Sequence, residues 1–278
     1  MSRFRCTVLD AADFKEIGIC SFADVHIRDG TCYGKRQMKR RSFLAIGLGW
    51  HPFQKPGLQI AGIEFHVKRH GFFGTHRYLL IHGDEKTARE VLDTWMYFHP
   101  GTAYFSAVPT RNVPLLGGAV DPNRMFSRVG AQRSLSSLNP AWTEDQVRHA
   151  LDLLDSHREK LIRHLIPPKG GLLVVLHNNS GGYNVNEELS DSDKISIKEP
   201  ARPHEFFLCT DERDFELLAT SPYNVVLQNK KPQADDGSLS RLAAAREFRY
   251  VNLETTLGYY EAQLERLDWL DRHLPARR

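Results

Sequence analysis

Short apolar runs alternate with longer amphipathic stretches along most of this chain. Ile60, Ile63, Phe65 and Val67 largely alternate with polar residues and predict a strand over 59–67. A turn at 70–74 follows, and Tyr78-Leu79-Leu80-Ile81 then predicts a buried strand over 77–81. Ala88, Val91, Leu92 and Trp95 recur at helical spacing and predict a helix over 85–98. A strand over 102–108 leads into a Pro- and Gly-rich loop over 109–128. The longest amphipathic stretch, 143–166, predicts a helix that Thr143 caps, with Gln146 completing a capping box. Pro167-Pro168-Lys169-Gly170-Gly171 ends it. Beyond it, strands are predicted over 172–176, 206–209, 224–227 and 249–253, and helices over 211–220, 238–247 and 258–273. Polar loops fill 178–193 and the approach to Gly237. Alternating helices and short apolar strands imply an α/β fold with a largely buried sheet.

Composition narrows this picture. The 278 residues suffice for one large α/β domain or two small ones. A net charge of +3, with no basic stripe carrying interleaved aromatics, gives no reason to expect nucleic acid as a partner. No run of about 18 apolar residues is present, so no membrane-spanning helix is expected. The four cysteines, Cys6, Cys20, Cys32 and Cys209, form no Cys-x-x-Cys pair, which argues against a structural zinc knuckle. His149, His157 and His164 read as surface residues of the 143–166 helix.

Residues 1–55 read as an N-terminal extension and 56–278 as the main domain. Within the extension, Met38-Lys39-Arg40-Arg41-Ser42-Phe43-Leu44 opens a basic cluster followed by a short apolar run, as an export signal does. Arg40-Arg41-Ser42-Phe43-Leu44 also resembles a twin-arginine signal. Two readings stand: a biological start at Met38 with export to the periplasm, or an ordinary basic extension of a cytoplasmic protein.

The candidate chemistry begins at His82-Gly83-Asp84-Glu85, just past the run at 78–81. A His and a Glu three residues apart can reach one metal ion there. Zinc accepts imidazole nitrogen and carboxylate oxygen, and a catalytic zinc needs only three protein ligands. His177, which ends the apolar run 172–176, supplies a third. Asp121-Pro122-Asn123-Arg124 lies between these half-sites, and Glu254 ends the late strand. The plainer alternatives are a surface turn opening a helix at His82–Glu85, a structural turn at Asp121-Pro122-Asn123, and a Glu254 that only begins the next turn. All the metal and base candidates follow apolar strands, and sites in open α/β sheets gather at the carboxyl ends of strands. No Gly-x-Ser-x-Gly elbow and no Walker loop competes.

The order His-x-x-Glu, Asn-Arg, His, Glu resembles the zinc carboxypeptidase superfamily, most closely its succinylglutamate desuccinylase and aspartoacylase branch, from about Ile60 to the C-terminus. The resemblance implies a three-layer α/β/α sandwich around a mixed, twisted sheet of about eight strands. It implies one zinc ion per chain on His82, Glu85 and His177, with Glu254 as general base. It also implies that Asn123 and Arg124 hold a substrate carboxylate, a task that suits the planar guanidinium fork. Two departures stand out. Val175 occupies the place of an Asp that orients a ligating His in the family. No Arg stands just before Asp-x-Asn-Arg, so Arg111 is the nearest candidate for an oxyanion role. Three functions fit: a metallocarboxypeptidase acting on peptides, a deacylase of N-acyl amino acids, and a non-catalytic binding module on the same fold. Export favours the first, and a cytoplasmic location the second.

Overall fold

The computed structural model of the chain describes residues 57–71, 74–231 and 234–277, and the backbone of 26–28 and 31–33. The chain divides into two compact units, Met1–Trp50 and His51–Arg278. In the first, β1 (His26–Arg28) pairs antiparallel with β2 (Thr31–Tyr33). The signal-like segment at 38–49 lies outside the described residues.

Among the described residues the second unit is α/β, with a mixed sheet of nine strands and six α-helices. Its first half contains β3 (Leu58–Ile60), β4 (Ile63–His70), β5 (Arg77–Leu80), α1 (Lys86–Trp95) and β6 (Gly101–Ser106). A separate two-stranded pair, β7 (Val113–Leu115) and β8 (Gly118–Val120), comes next, then α2 (Arg128–Leu138) and α3 (Glu144–Leu165). The second half adds β9 (Leu173–Asn179), β10 (Lys194–Ser196), β11 (Phe206–Cys209), α4 (Glu212–Leu218), β12 (Asn224–Leu227), α5 (Leu239–Ala245), β13 (Tyr250–Thr256) and α6 (Tyr260–His273). The strand order is β10-β12-β11-β13-β9-β5-β6-β4-β3. The four strands β13, β9, β5 and β6 run parallel to one another, so their carboxyl ends share one edge of the sheet. Antiparallel pairings flank them at β11–β13 and β4–β6.

Consecutive strand residues enter opposite cores, as the period-two pleat requires. Leu79, Leu173, Val175 and Leu208 pack with Leu135 of α2, Leu154 and Ile162 of α3 and Ala243 of α5. Leu80, Val174, Leu176 and Phe207 pack with Val91 and Leu92 of α1, Phe215 of α4 and Leu267 of α6. Burial on both faces explains why these strands read as continuous apolar runs. Each fully buried Leu or Phe contributes about 1.5–3 kcal/mol. Among the described residues, no helix is long and apolar enough to cross a membrane.

Several elements differ from the sequence reading: β10 has no counterpart in it, and β9 and β13 run past their expected ends, so that His177 and Glu254 lie within strands and not after them. The single strand expected over 59–67 is a hairpin, turned by Ala61 and Gly62 at φ of 53° and 84°. Two positive-φ residues suit a two-residue hairpin, but Ala gives no such signal in sequence. The expected loop over 109–128 contains β7 and β8. Helix α2 was not anticipated because its buried face is Gly130, Ala131, Ser134 and Leu135, which lacks a large apolar stripe.

Candidate metal centre and cleft

His82 lies two residues past the end of β5, and Glu85 stands at the N-cap of α1. Gly83 makes the turn between them possible. A Cβ on Gly83 would sit 1.6 Å from the Val108 carbonyl oxygen, and its own N–H donates to the Thr110 carbonyl at 3.0 Å. The third side chain comes from β9. There His177 lies directly beside Glu254 of β13 in the parallel register, so strand pairing alone sets these two together.

His82, Glu85 and His177 are buried, and they present ligand atoms that all lie within 4.8 Å of one another. Glu85 Oε1 is 3.0 Å from Nδ1 of His82 and 3.0 Å from Nδ1 of His177. A tetrahedral zinc with bonds near 2.0–2.1 Å sets its ligand atoms about 3.3 Å apart. Each imidazole nitrogen thus stands close to that distance from the carboxylate, and the group could hold a metal ion.

Burial would push the Glu85 carboxyl up, but His177 and His82 outweigh it and bring it down to about 2. Burial would lower the His177 imidazole, yet the Glu85 carboxylate outweighs that and lifts it to about 9. A cation must displace that proton, so metal affinity should rise with pH.

With Nδ1 of His82 turned to Glu85, its Nε2 faces Asp121 Oδ1 at 3.0 Å. Burial opposes the charge on Asp121, but the bond to His82 dominates and holds the carboxyl at about 2. Asp121 also accepts the backbone N–H of Asn123 at 2.8 Å. It therefore fixes both the imidazole orientation and the start of the Asn-Arg turn. Nothing in the local sequence assigns Asp121 this role. Val175 is a core side chain, so the ring-orienting carboxylate here is the one on His82. Asp121→Ala is expected to weaken metal binding about 10- to 100-fold, the usual effect of losing a partner that orients a ligand. A chelator-competition titration reads this directly, and unchanged affinity would remove Asp121 from the site.

A cleft of ≈ 580 Å³ opens beside His82, Glu85 and His177. It brings together all seven residues singled out from sequence: His82, Glu85, Arg111, Asn123, Arg124, His177 and Glu254. Glu254 is buried, and its Oε1 accepts from Asn252 Nδ2 at 3.0 Å, its Oε2 from Asn179 Nδ2 at 3.4 Å. Burial raises its carboxyl pKa; the His177 charge opposes this, Glu85 adds to it, and the two amides oppose it. Arg111 is half exposed, with Nη1 3.8 Å from Glu85 Oε1. Arg124 donates to the Asn123 carbonyl at 3.0 Å and stands 3.8 Å from Asp236. Asn123 Oδ1 accepts the Leu239 N–H at 3.1 Å, which ties the motif to the start of α5. The lining also includes Tyr183, Gln228, Arg241, Tyr250 and Asn252, none of which the sequence pointed to. Gln228, Ser238 and Arg241 also border a second cavity of ≈ 340 Å³. No family model matches the chain, and no curated protein matches it.

Proposed function

We propose that this protein is a zinc-dependent hydrolase that cleaves an amide bond close to a free carboxylate, on the three-layer α/β/α sandwich of the zinc carboxypeptidases. The observation that carries this reading is the buried His82–Glu85–His177 group with the Glu254 carboxylate in register beside His177 and the guanidinium of Arg124 in the same cleft. Helices packed on both faces of the sheet support the sandwich.

His82, Glu85 and His177 would hold the metal, a donor set that suits zinc. A bound zinc ion supplies electrophilic activation of water and of the scissile carbonyl. Glu254 takes the proton of the attacking water and delivers it to the leaving nitrogen. Burial suits it to both steps, because a raised carboxyl pKa makes a stronger base than an exposed carboxylate. Arg111 can donate to the carbonyl oxygen as negative charge develops there. Asn123 and Arg124 anchor the substrate carboxylate through the guanidinium fork.

Elemental analysis, followed by hydrolysis of a panel of peptides and N-acyl amino acids, tests the reading. Turnover of peptides identifies a carboxypeptidase, and turnover of N-acyl amino acids a deacylase. A zinc-loaded chain that turns over neither is a binding module. The carboxylate assignment has its own check. Arg124→Lys keeps the charge but loses the fork, so KM should rise with little change in kcat. Amidated substrates should be poor for the wild type. Equal turnover of free-acid and amidated substrates would remove Arg124 from substrate binding.

A further inference from the structure

Five asparagines are buried among the described residues: Asn139, Asn178, Asn179, Asn224 and Asn252. Three of them use both ends of the amide. Asn139 Oδ1 accepts from Ala119 N–H while its Nδ2 donates to the Ala119 carbonyl. Asn178 Oδ1 accepts from Ala88 N–H, and its Nδ2 donates to Gln263. Asn224 Oδ1 accepts from Lys198 and Glu199, and its Nδ2 donates to Glu199. These are structural side chains whose hydrogen-bonding capacity is used within the fold.

Asn179 and Asn252 differ. Each is 8% exposed, and in each the Oδ1 finds no hydrogen-bond partner among the described residues. Both direct Nδ2 at Glu254, Asn252 at 3.0 Å to Oε1 and Asn179 at 3.4 Å to Oε2. Turning either amide over would set its oxygen against a carboxylate oxygen, two acceptors facing each other. For Asn252 the Glu254 carboxylate therefore fixes the orientation that leaves Oδ1 unpaired, and for Asn179 the His204 carbonyl does so together with Glu254. A buried acceptor without a partner destabilises a fold, and its persistence calls for an explanation at that place. Strand geometry supplies the rest. Asn252 and Glu254 are two apart on β13 and share one face, and Asn179 is two beyond His177 on the neighbouring parallel strand.

From this asymmetry we infer that Asn252, with Asn179, is a positioning residue: its amide NH₂ fixes the Glu254 carboxylate at the cleft so that one set of lone pairs faces the reacting water. The inference rests on Glu254 being the base proposed above. Asn179 also donates to the His204 carbonyl at 2.9 Å and so has a structural duty of its own. Asn252 is the cleaner probe.

The test is a double-variant cycle on the full, zinc-loaded chain, with a substrate that the panel identifies. Asn252→Ala should lower kcat about tenfold or more, the factor expected for one charge-assisted hydrogen bond. KM should stay within about twofold, because Asn252 acts through Glu254 and not on the substrate. Asn252→Asp keeps the shape but turns a donor into an acceptor, and should lose at least as much while retaining zinc. In the Glu254→Gln background, Asn252→Ala should cause no further loss, since the group it positions no longer takes a proton. An equal loss in both backgrounds, or full kcat for Asn252→Ala while Glu254→Gln is disabled, overturns the positioning role and leaves the base in place. Full activity of Glu254→Gln, or no turnover of any panel member by the zinc-loaded wild type, overturns the base itself and the positioning role with it.

Discussion

His177→Ala is expected to strip the chain of tightly bound zinc while most of the fold stays intact. The imidazole is one of the three proposed donors, and its Nδ1 is within 3.0–3.1 Å of both Glu85 oxygens. Losing even a partner that orients a ligand weakens binding about 10- to 100-fold, so losing the ligand itself should exceed about 100-fold. The fold should survive because the position belongs to β9, whose pairing with β13 and β5 uses backbone groups that the substitution leaves alone. Leu173, Val175 and Leu176 on the same strand keep their places in the two cores. Elemental analysis and thermal unfolding on the same preparation separate the two effects. Full zinc occupancy without His177 would show that the ligand set is wrong. Loss of zinc together with loss of the folding transition would make the metal a structural one.

The parts of this site that were legible in sequence are those set by short-range geometry. His82 and Glu85 are three residues apart at a strand-to-helix turn, and that spacing alone brings both to one point. His177 was legible because it ends an apolar run at a sheet edge. Glu254 stood out only through the order of motifs, since a Glu after an apolar run reads equally as the start of a turn; its place beside His177 depends on β13 pairing with β9, and no local pattern shows this. The same pairing hides Asn179 and Asn252, since each becomes informative only when its amide meets Glu254. Asp121 is a related case. Its contact with His82 spans 39 residues and depends on how the loop before α2 folds back over the sheet edge. Fold details were lost where residue type and backbone state disagree. Ala61 adopts φ of 53°, which sequence does not advertise, so a hairpin looked like one strand. Small residues on the buried face hid α2 for a comparable reason. Gly83 illustrates the opposite case, because a carbonyl 1.6 Å from the place of its Cβ permits no side chain at all.

Glu254→Gln is expected to produce the largest loss of rate with the least disturbance of structure. The two side chains are nearly isosteric, so the packing around β13 should persist. Glutamine cannot accept the proton of the attacking water, and a positioned general base contributes about 10²–10⁴-fold. Zinc should stay bound, because the proposed ligands are His82, Glu85 and His177 and not Glu254. Replacing a buried carboxylate by a neutral amide removes the cost of burying its charge, the largest cause of the raised Glu254 carboxyl pKa, which outweighs the attraction to His177 that is given up. Stability should therefore hold or rise slightly, as is common where a charged group is kept buried for function. The measurements are kcat, KM and zinc content on one preparation, with thermal unfolding beside them. A kcat lowered at unchanged zinc content and nearly unchanged KM assigns Glu254 to the chemical step. Lost zinc would make it a fourth ligand, and an unchanged kcat would leave it as a structural carboxylate of β13 held by Asn252 and Asn179.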